Sequence, residues 1–370
     1  MQIEIYNMIV LNNKLNISLE AVCDSFSSLL WDIEYYKCGE FEVYIAASPR
    51  IIEIFQTGRI VGRDDDKEHF GLIESVELET DAEDGDYLII KGRFLMCLLE
   101  RRIIYPTFNF TKFVSYSQIV MNVVQHNACT AGIRKIPGLV VGCSSGSCWN
   151  AETKLQVSYD NLMEWVYTIC EKIGGTANIR LSKTNTEQYE MIFELSQGTD
   201  RSILQEVNPH IIFSDRYNNL LSFTYFTDTS VKKNYAYVLG KGEGEKRKRT
   251  TYFEGSEPSS LERYEVYVDA KDISDEEQEN GETKPLSEEE YAELLKEKGK
   301  QSLVPTKTKS ESQIAVQSTQ FQYGVDYFVG DFVTVEHHRF GIRQNKIQLV
   351  GMIESFDRNG RNLTPTFKEE

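Results

Sequence analysis

A glycine-rich segment and a basic segment lie side by side near the middle of the chain, and both contain residue types that could bind phosphate. Gly240-Lys-Gly-Glu-Gly244 follows the strand-like run AYVLG, as a phosphate-binding loop would. Such a loop needs a following helix whose N-terminal amides point at the anion, but the KRKRTTYFEGS that comes next has no helical period. We therefore predict a glycine-rich β-turn.

The basic run Lys246-Arg-Lys-Arg249 could form a nucleic-acid patch or a localisation signal. No aromatic residues are interleaved with it, and the whole chain has a formal net charge of −17, which repels phosphates. We predict a solvated turn or a salt-bridge face toward the acidic residues of the 270s and 280s, and no specific nucleic-acid binding.

Cysteine and histidine pairs offer candidate metal ligands. Cys143 and Cys148 form a lone C-x4-C pair, with His126 the nearest histidine in sequence, whereas a structural zinc site needs four ligands. His337 and His338 are adjacent, so that on a strand they would point to opposite faces. These spacings predict a loop with two reduced thiols and no metal site.

Acidic residues are numerous but form no active-site pattern. Asp64-Asp65-Asp66 lacks the spaced oxygen ligands of a calcium loop, so we predict a solvated turn. The 57 carboxylates could pair in many ways, yet no nucleophile elbow, HExxH motif or Cys/His signature marks any of them. The sequence therefore predicts no catalytic residue, no cofactor, no cofactor-binding residue and no metal ligand, and it favours a protein that is not an enzyme.

Composition is typical of a folded protein from a reducing compartment. A chain of 370 residues has room for roughly two to four domains. Its seven cysteines are odd in number and irregularly spaced, unlike a disulfide framework. The N-terminus MQIEIYNMIV has no basic region or cleavage site, and no apolar run approaches the roughly 20 residues of a membrane helix. We expect folding in a cytosol and no direct membrane insertion.

Residues 1–105 are predicted to be mostly β-structure. Ser48-Pro49 is typical of a helix start, and this short helix is expected to end near Gly58. Gly71–Thr80 alternates between apolar and polar residues, which predicts a strand with one buried and one exposed face. The predicted strands are Ile3–Tyr6, Leu29–Tyr36, Glu40–Ala46, and a hairpin of Phe70–Thr80 and Tyr87–Arg93 around Asp84-Gly85, and a short helix is expected over Phe94–Ile104.

Residues 106–203 are predicted to form a small inserted α+β domain. Ser115 and Gln118 fit a capping box at a helix start. A second helix over Tyr159–Ile173 has an apolar stripe and is expected to end at Gly174-Gly175. The strands expected after it are Thr176–Leu181 and Tyr189–Leu195.

The rest of the chain is predicted to be a β-domain, residues 204–249 and 318–370, interrupted by a charged peripheral insertion, residues 250–317. In the insertion, Ser287 and Glu290 fit a capping box, and Gly299 is expected to end the helix. The flanking runs SDEEQENGETK and VPTKTKSESQ predict loops. The strands expected in the first part of the β-domain are Ile211–Ser214, Leu220–Phe226 and Asn234–Leu239.

The closing stretch Asp326–Phe367 predicts four short strands with turns between them. Val329-Gly330-Asp331 indicates a tight approach to a strand, and Asn359-Gly360 is typical of a hairpin turn. This stretch contains no plausible catalytic constellation. A terminal β-structure without such chemistry indicates a scaffold.

Segments in order along nearly the whole chain resemble the tail hub, or tail-associated, proteins of long-tailed bacteriophages and prophages. Their order makes the resemblance more specific than any one of them. The segments are Tyr36-Lys-Cys-Gly-Glu-Phe-Glu-Val-Tyr44, Gly71-Leu-Ile-Glu74, the stretch from Gly92-Arg93 to Arg101-Arg102-Ile-Ile104, Gly198-Thr-Asp-Arg201, Phe213-Ser-Asp-Arg-Tyr-Asn-Asn-Leu220, Asn234-Tyr-Ala-Tyr-Val238 with Gly240–Gly244, Glu265-Val-Tyr-Val-Asp-Ala270, and the stretch from Tyr327-Phe-Val-Gly-Asp-Phe-Val333 to Pro365-Thr-Phe367.

This resemblance implies a β-rich α+β multidomain fold. Two small tandem β-barrel domains, residues 1–105 and residues 204–249 with 318–370, would form its core, with the inserted α+β domain and the charged excursion attached. It also implies a homotrimer on the tail axis. Three copies of two barrels would form a ring of pseudo-sixfold symmetry that adapts a hexameric tube to a threefold tip.

The function implied is a structural baseplate or tail-tip hub of a phage, a prophage or a phage-tail-like injection particle, contractile or not. Its partners would be the tail tube or distal tail protein, a spike, tip or fibre protein and, as a further candidate, the tape-measure protein. It would be located in the virion tail after assembly in the bacterial host cytoplasm. Its acidic lumen would let DNA or an effector pass without holding DNA.

Two alternatives stay open, a tail-associated cell-wall hydrolase and a host-surface or carbohydrate-binding module that uses the tyrosine-rich surface. Many relatives have a C-terminal extension with a hydrolase or receptor-binding part, whereas this chain ends at Lys368-Glu-Glu370, so the resemblance transfers no enzymatic role. We expect the trimer interface at the hairpin 70–93 and the terminal barrel, because their alternating strands offer edges.

Overall fold

The structure is a computed structural model, and it describes residues 1–11, 14–81, 85–184, 188–271, 273–279, 282–304, 307–314 and 320–369. Strands dominate it, and they form several sheets, in agreement with the predicted β-rich class. The chain divides into two compact units, the first formed by Met1–Phe223 with Glu311–Glu370 and the second by Thr224–Ser310. None of the described helices is both long and apolar enough to cross a membrane.

The N-terminal part of the first unit contains antiparallel strands and two short helices. In chain order these elements are β1 (Ile3–Leu11), β2 (Lys14–Cys23), β3 (Ser28–Glu34), β4 (Glu40–Ala46), α1 (Pro49–Ile54), β5 (Ile60–Arg63), β6 (Asp66–Asp81), β7 (Gly85–Phe94) and α2 (Cys97–Glu100).

The helix start predicted at Ser48 is confirmed, because the Ser48 Oγ accepts a hydrogen bond from the Ile51 amide at 3.2 Å and proline is the first helical residue. The helix predicted over Phe94–Ile104 is shorter than expected. Phe94 still belongs to β7, and α2 ends at Glu100.

The hairpin of β6 and β7 is confirmed, while Asp84 of its predicted turn lies outside the described residues. The prediction that Gly71–Thr80 has one buried and one exposed face is wrong. Gly71–Ile73 is buried throughout, because this end of β6 pairs with both β5 and β7. From Ser75 onward β6 pairs only with β7 among the described strands, and Leu78 is 55% exposed.

Two helices and two small sheets follow. In chain order the elements are β8 (Phe108–Ser115), α3 (Tyr116–Val124, continued by a π-helix over Gln125–Cys129), β9 (Leu139–Ser144), β10 (Glu152–Val157), α4 (Leu162–Ile173), β11 (Thr176–Lys183) and β12 (Tyr189–Ser196). β8 pairs with β10, and β12 lies between β11 and β9.

Side-chain caps begin both of these helices. The Ser115 Oγ accepts from the Gln118 amide at 3.4 Å, which confirms the serine half of the predicted capping box. α4 begins after Asn161 rather than at Tyr159, because Tyr159 has a left-handed φ of 61° and the Asn161 side chain accepts from the first-turn amides. The predicted end at Gly174 is confirmed by its left-handed φ of 73°.

In the described part of the remainder of the chain there are eleven strands and one long helix. In chain order these are β13 (Ile212–Ser214), β14 (Leu220–Asp228), β15 (Tyr235–Leu239), β16 (Arg249–Tyr252), β17 (Glu265–Asp269), β18 (Glu276–Glu279), β19 (Glu282–Pro285), α5 (Glu288–Gln301), β20 (Lys307–Ile314), β21 (Phe332–His337), β22 (Ile342–Asp357) and β23 (Gly360–Glu369).

The capping box that begins α5 is confirmed, since Ser287 and Glu290 exchange hydrogen bonds with each other's backbone amides. The prediction that Gly299 ends this helix is wrong, because α5 continues to Gln301. A Cβ on Gly299 would lie 2.8 Å from the Val238 Cγ2. The glycine is therefore needed for close packing of the helix on the sheet.

Loops predicted on both sides of α5 contain strands instead. β18 and β19 form a hairpin inside SDEEQENGETK, and β20 lies inside VPTKTKSESQ. The polar composition of these segments favours loops, but pairing with a neighbouring strand decides the backbone conformation. Asn280 and Gly281 of the predicted loop lie outside the described residues.

The closing stretch forms three strands rather than four, because Ile342–Asp357 is one strand of 16 residues that pairs with β3, β21 and β23. The hairpin turn at Asn359-Gly360 is confirmed, with a φ of 112° at Gly360. Gly330, with a φ of 102°, precedes β21 as predicted.

One large sheet joins the N-terminal and C-terminal strands. Its hydrogen-bonded order is β2-β1-β5-β6-β7-β4-β3-β22-β23-β20-β14, with β21 also on β22 and β13 on β21. The pairing of β3 with β22, which places Trp31 opposite Glu354, is the link between the two ends of the chain. The path is open, and none of the described sheets closes into a barrel.

Apolar packing holds these sheets and helices together. In the first unit one core holds β3, β4 and β7, a second holds α3, α4 and the sheet of β9, β11 and β12, and a third holds β21, β22 and β23. The second unit has its own core between α5 and the sheet of β15, β16 and β17.

Candidate functional site

The glycine-rich segment does not form a phosphate loop. Gly242 and Gly244 have φ values of 106° and 54°, and a short 3-10 turn over Gly244–Lys246 follows in place of a helix. Gly240 packs against the second unit's core, where a Cβ would lie 2.5 Å from the Tyr291 hydroxyl. The prediction of a glycine-rich turn is confirmed.

The basic run faces acidic side chains of its own unit. Arg247 forms an ion pair with Asp269, and Lys248 forms one with Glu288. Lys241, just before the run, lies 2.6 Å from Asp275. The predicted salt-bridge face is therefore present, and these cations are neutralised within the chain.

All seven cysteines are free thiols. The Cys143 Sγ donates a hydrogen bond to Glu194 at 3.3 Å, and this bond raises the pKa of the thiol. Glu194 is also bound by Arg180 Nε at 2.5 Å. Because a raised pKa lowers the thiolate fraction, Cys143 lacks the activation of a catalytic cysteine.

The two adjacent histidines lie where β21 ends. The His337 Nδ1 is 3.4 Å from the Asp215 Oδ2 without hydrogen-bond geometry, while Asp215 accepts from the His338 amide at 2.7 Å. Across the described ranges, no group of three or more His, Cys, Asp or Glu residues could hold a metal ion.

The acidic run Asp64–Asp66 is only partly a solvated turn. Asp64 and Asp65 are exposed, but Asp66 accepts hydrogen bonds from the Trp31 indole at 3.0 Å and lies 2.9 Å from the His69 ring. Although burial opposes ionisation of Asp66, the nearby His69 and two backbone amides hold its pKa well below the usual range. The solvated-turn prediction is wrong for Asp66, because a tryptophan and a histidine cover it.

A buried charge network starts at Arg63, next to this run. The Arg63 side chain is 2% exposed, and it lies 2.8 Å from Asp65 and 3.0 Å from Glu354, which is 3% exposed. Arg361 binds Glu354 from the other side at 2.9 Å. The guanidinium of Arg63 also stacks on Phe356 at 4.8 Å. This network links the turn between β5 and β6 to β22 and β23.

Sequence reasoning missed Arg63 and Glu354, which lie 291 positions apart. The only local signal is an arginine in the apolar strand IVGR beside an acidic run. A buried charge needs a partner, but nothing in the sequence names a partner so distant.

Several of the segments that carry the family resemblance meet at one junction in the first unit. The Asp331 carboxylate accepts hydrogen bonds from the Thr199 amide at 2.7 Å and the Arg201 Nε at 2.9 Å. The Tyr35 hydroxyl accepts from the Gly198 amide at 2.9 Å. Thus the segments 198–201 and 327–333 form a structural joint with Tyr35, the residue just before the segment that begins at Tyr36.

A cavity of about 270 Å³ opens beside this junction, between β3, β11, β12 and residues 323–329. Burial raises the pKa of Glu34 and raises that of Tyr167 well above its ordinary value. His69 and Cys143 also line the cavity, but His69 is hydrogen-bonded to Asp66, and Cys143 is hydrogen-bonded to Glu194. Among the described lining residues, no nucleophile contacts a free base.

Strand edges form the most extended candidate surfaces for assembly. β2 is the outermost strand and, in the described part of the sheet, pairs only with β1. Leu19 and Val22 on β2 are 50% and 48% exposed. The outer half of β6, residues 75–80, pairs on one side only and exposes Leu78. Such edges present backbone groups that can pair with another chain.

The sequence profile of one family, described as Siphovirus ReqiPepy6 Gp37-like protein, matches residues 3–367 of the chain. No protein with a curated description matches it. The profile covers nearly the whole chain, both units included.

Solved phage and prophage tail proteins share the fold. The tail protein from Neisseria meningitidis MC58 has a TM-score of 0.59 at 14% identity, covering 100% of this chain and 96% of that one. The 43 kDa tail protein of prophage MuSo2 from Shewanella oneidensis has a TM-score of 0.60 at 11% identity, and the match covers 100% of this chain and 98% of that one. Prophage tail protein gp18 from Listeria monocytogenes EGD-e has a TM-score of 0.53 at 12% identity, and the match covers 99% of this chain and 94% of that one.

Proposed function

The chain belongs to the family of Siphovirus ReqiPepy6 Gp37-like proteins, and from this premise we propose that it is a structural hub of a tail tip or baseplate. The particle would be a phage, a prophage or a phage-tail-like injection system. The residues that sequence reasoning singled out for chemistry are engaged in structural contacts, which supports a structural rather than an enzymatic role.

The observation that carries this proposal is the pair of exposed strand edges at β2 and the outer half of β6. Monomeric proteins cover or interrupt long strand edges, because such edges promote association. Here both edges expose apolar side chains, with Leu19 and Leu78 at 50% and 55%. An assembly in which neighbouring chains cover these edges accounts for both features.

We further propose that the assembly is a homotrimeric ring. Closed rotational symmetry lets one edge of each copy be covered by the next copy, so that no edge stays open. The two ends of the large sheet, β1–β7 and β21–β23, would take the places of the two tandem barrels. Three such pairs give the six-part ring that a hexameric tube requires.

In this arrangement the ring would join the tail tube or distal tail protein to a spike, tip or fibre protein, and it would contact the tape-measure protein before ejection. The formal charge of −17 per chain supports a lumen through which DNA or an effector passes without binding. The protein would be located in the virion tail after assembly in the host cytoplasm.

Labelling tests this location directly. Particles produced with an affinity tag on this chain would be imaged by negative-stain electron microscopy after binding of a gold-labelled probe. The proposal predicts gold at the tip of the tail distal to the capsid, or at the baseplate end of a capsid-free particle. Gold along the tail shaft, or tailed particles that contain none of this chain, would contradict it.

A further inference from the structure

In the sheet of the second unit, one face is covered by α5, and the opposite face, called the bare face below, is partly exposed. On the covered face, Ala236, Val238 and Val268 are buried beneath Tyr291 and Leu295 of α5. Since side chains alternate along a strand, positions 235, 237, 265 and 267 belong to the opposite face. On that face Phe253 and Arg263 cover Tyr235, whereas Tyr237 and Tyr267 remain exposed.

Two tyrosines occupy neighbouring positions on the bare face. Tyr237 of β15 pairs in register with Tyr267 of β17 in the parallel ladder. Their side chains are 39% and 57% exposed. Partners in register on adjacent parallel strands lie about 5 Å apart, so the two tyrosines are side by side on this face.

Arginines hold both rings in place. Arg263 stacks on the buried Tyr235 at 3.5 Å and donates to the Tyr237 hydroxyl at 3.0 Å. Arg247 donates to the Tyr267 hydroxyl at 3.0 Å. The surface is therefore ordered before any ligand binds, which lowers the entropy cost of binding.

Of the arginines on this face, Arg263 and Arg247 are already engaged, whereas Arg249, opposite Leu239 in the ladder, is exposed. Arg263 lies 2.6 Å from Glu265 and 3.0 Å from Glu257, and Arg247 binds Asp269 and the carbonyl oxygens of residues 239 and 240. An anionic ligand would have to displace these partners. In contrast, the carboxylates of Glu257, Glu265 and Asp269 are each about half exposed, at 55%, 49% and 50%.

We propose that this tyrosine face, formed by Tyr237, Tyr267 and the carboxylates around them, binds a neutral saccharide. The apolar C–H face of a sugar ring packs on an aromatic ring, while sugar hydroxyls donate to the half-exposed carboxylates. The three carboxylates act against phosphate-rich or sulfated polymers beside the two rings, while the exposed Arg249 lies farther along the same face, opposite Leu239. This activity goes beyond the structural role proposed above and does not depend on it.

Binding measurements on the full-length chain test the proposal. The probes are the neutral oligosaccharides maltohexaose, cellohexaose and chitohexaose, a poly(glycerol phosphate) chain as the anionic polymer, and an oligolysine peptide as the cationic one. Saturable binding by calorimetry is expected for at least one neutral oligosaccharide. Absence of binding to all three, or tighter binding to either charged probe, overturns the proposal.

Substitution at Tyr267 locates the site. Tyr267→Ala is expected to weaken oligosaccharide binding about tenfold, whereas Tyr267→Phe keeps the ring and should retain most of the affinity. Phe113→Ala, which removes a side chain 65% exposed on β8 of the first unit, is the matched control and should leave binding unchanged. Equal binding by Tyr267→Ala and the wild-type chain would place the sugar elsewhere and overturn the assignment.

Discussion

At the residue scale, the Glu354 carboxylate is the centre of the first unit's buried charge network. Two arginines bind it, and one of them, Arg63, is almost completely buried. Removing one member of a buried ion pair leaves an uncompensated charge, so Glu354→Ala is expected to lower the free energy of unfolding by about 3 to 5 kcal/mol. Urea denaturation followed by tryptophan fluorescence measures this, because Trp31 is next to the network.

Arg361→Ala is the matched comparison for Glu354→Ala. The Arg361 side chain is 28% exposed, and its loss leaves Glu354 still paired with Arg63. Arg361→Ala should therefore lower the free energy of unfolding clearly less than Glu354→Ala does. Equal destabilisation by the two substitutions would mean that the network does not depend on the buried Arg63–Glu354 contact.

The Asp66–His69 pair predicts a pH dependence. Burial acts against the charged form of His69, but the adjacent Asp66 raises its pKa above the ordinary value. The His69 contribution to stability is therefore complete below about pH 6.5 and is lost as the pH rises through the folded-state pKa. The Asp66 contribution, from a lowered pKa, is present above about pH 4 and is lost only in strong acid.

Unfolding free energies of the wild-type chain and His69→Gln, measured from pH 5 to 9, test this. The stability difference between them should be largest at the acidic end and should shrink as the pH rises. A difference that stays constant for His69→Gln would show that Asp66 does not raise the His69 pKa.

At the element scale, a substitution in α5 shows whether packing against the sheet or helix propensity determines which residue is favoured at position 299. Alanine favours a helix over glycine by about 1 kcal/mol, but a Cβ here would lie under 3.0 Å from Val238 and Tyr252. Gly299→Ala is therefore expected to destabilise the helix–sheet contact by about 1 to 3 kcal/mol. Faster hydrogen exchange of the α5 amides measures it, with exposed Glu297→Ala as the control. Slower exchange in Gly299→Ala would refute the packing argument.

The outer half of β6 tests the role of strand edges in assembly. Leu78→Lys places a charge on an exposed edge, which blocks pairing with a neighbouring chain but leaves the chain itself folded. The count of complete particles in micrographs is expected to fall at least about tenfold, since like charges would repeat around the ring. Leu204→Lys, at a loop residue 64% exposed, should assemble normally. Normal assembly of Leu78→Lys would remove this edge from the interface.

Local sequence signals predicted the helix ends well where a capping side chain or a glycine determines where the helix begins or ends. The helix starts at Ser48, Ser115 and Ser287 and the helix end at Gly174 depend on hydrogen bonds within four residues. Sequence reasoning failed where pairing with a strand that is distant along the chain decides the local structure. β20 is polar but pairs within the large sheet, and half of β6 is exposed because β5 is short.

At the scale of the whole molecule, the two ends of the chain share one sheet through the pairing of β3 with β22. The Arg63–Glu354 contact and the junction around Asp331 reinforce this link. Sequence patterns predicted both β-rich ends but not their pairing, because period and turn chemistry describe neighbours along the chain only.

Cryo-electron microscopy of the intact particle is the direct measurement of the proposed homotrimeric ring at the tail tip. Three copies of this chain are expected around the tail axis, located between the tube and the tip, with the β2 or outer β6 edge of each copy covered by a neighbour. A single copy, six equivalent copies, or density for this chain away from the tail tip would contradict it.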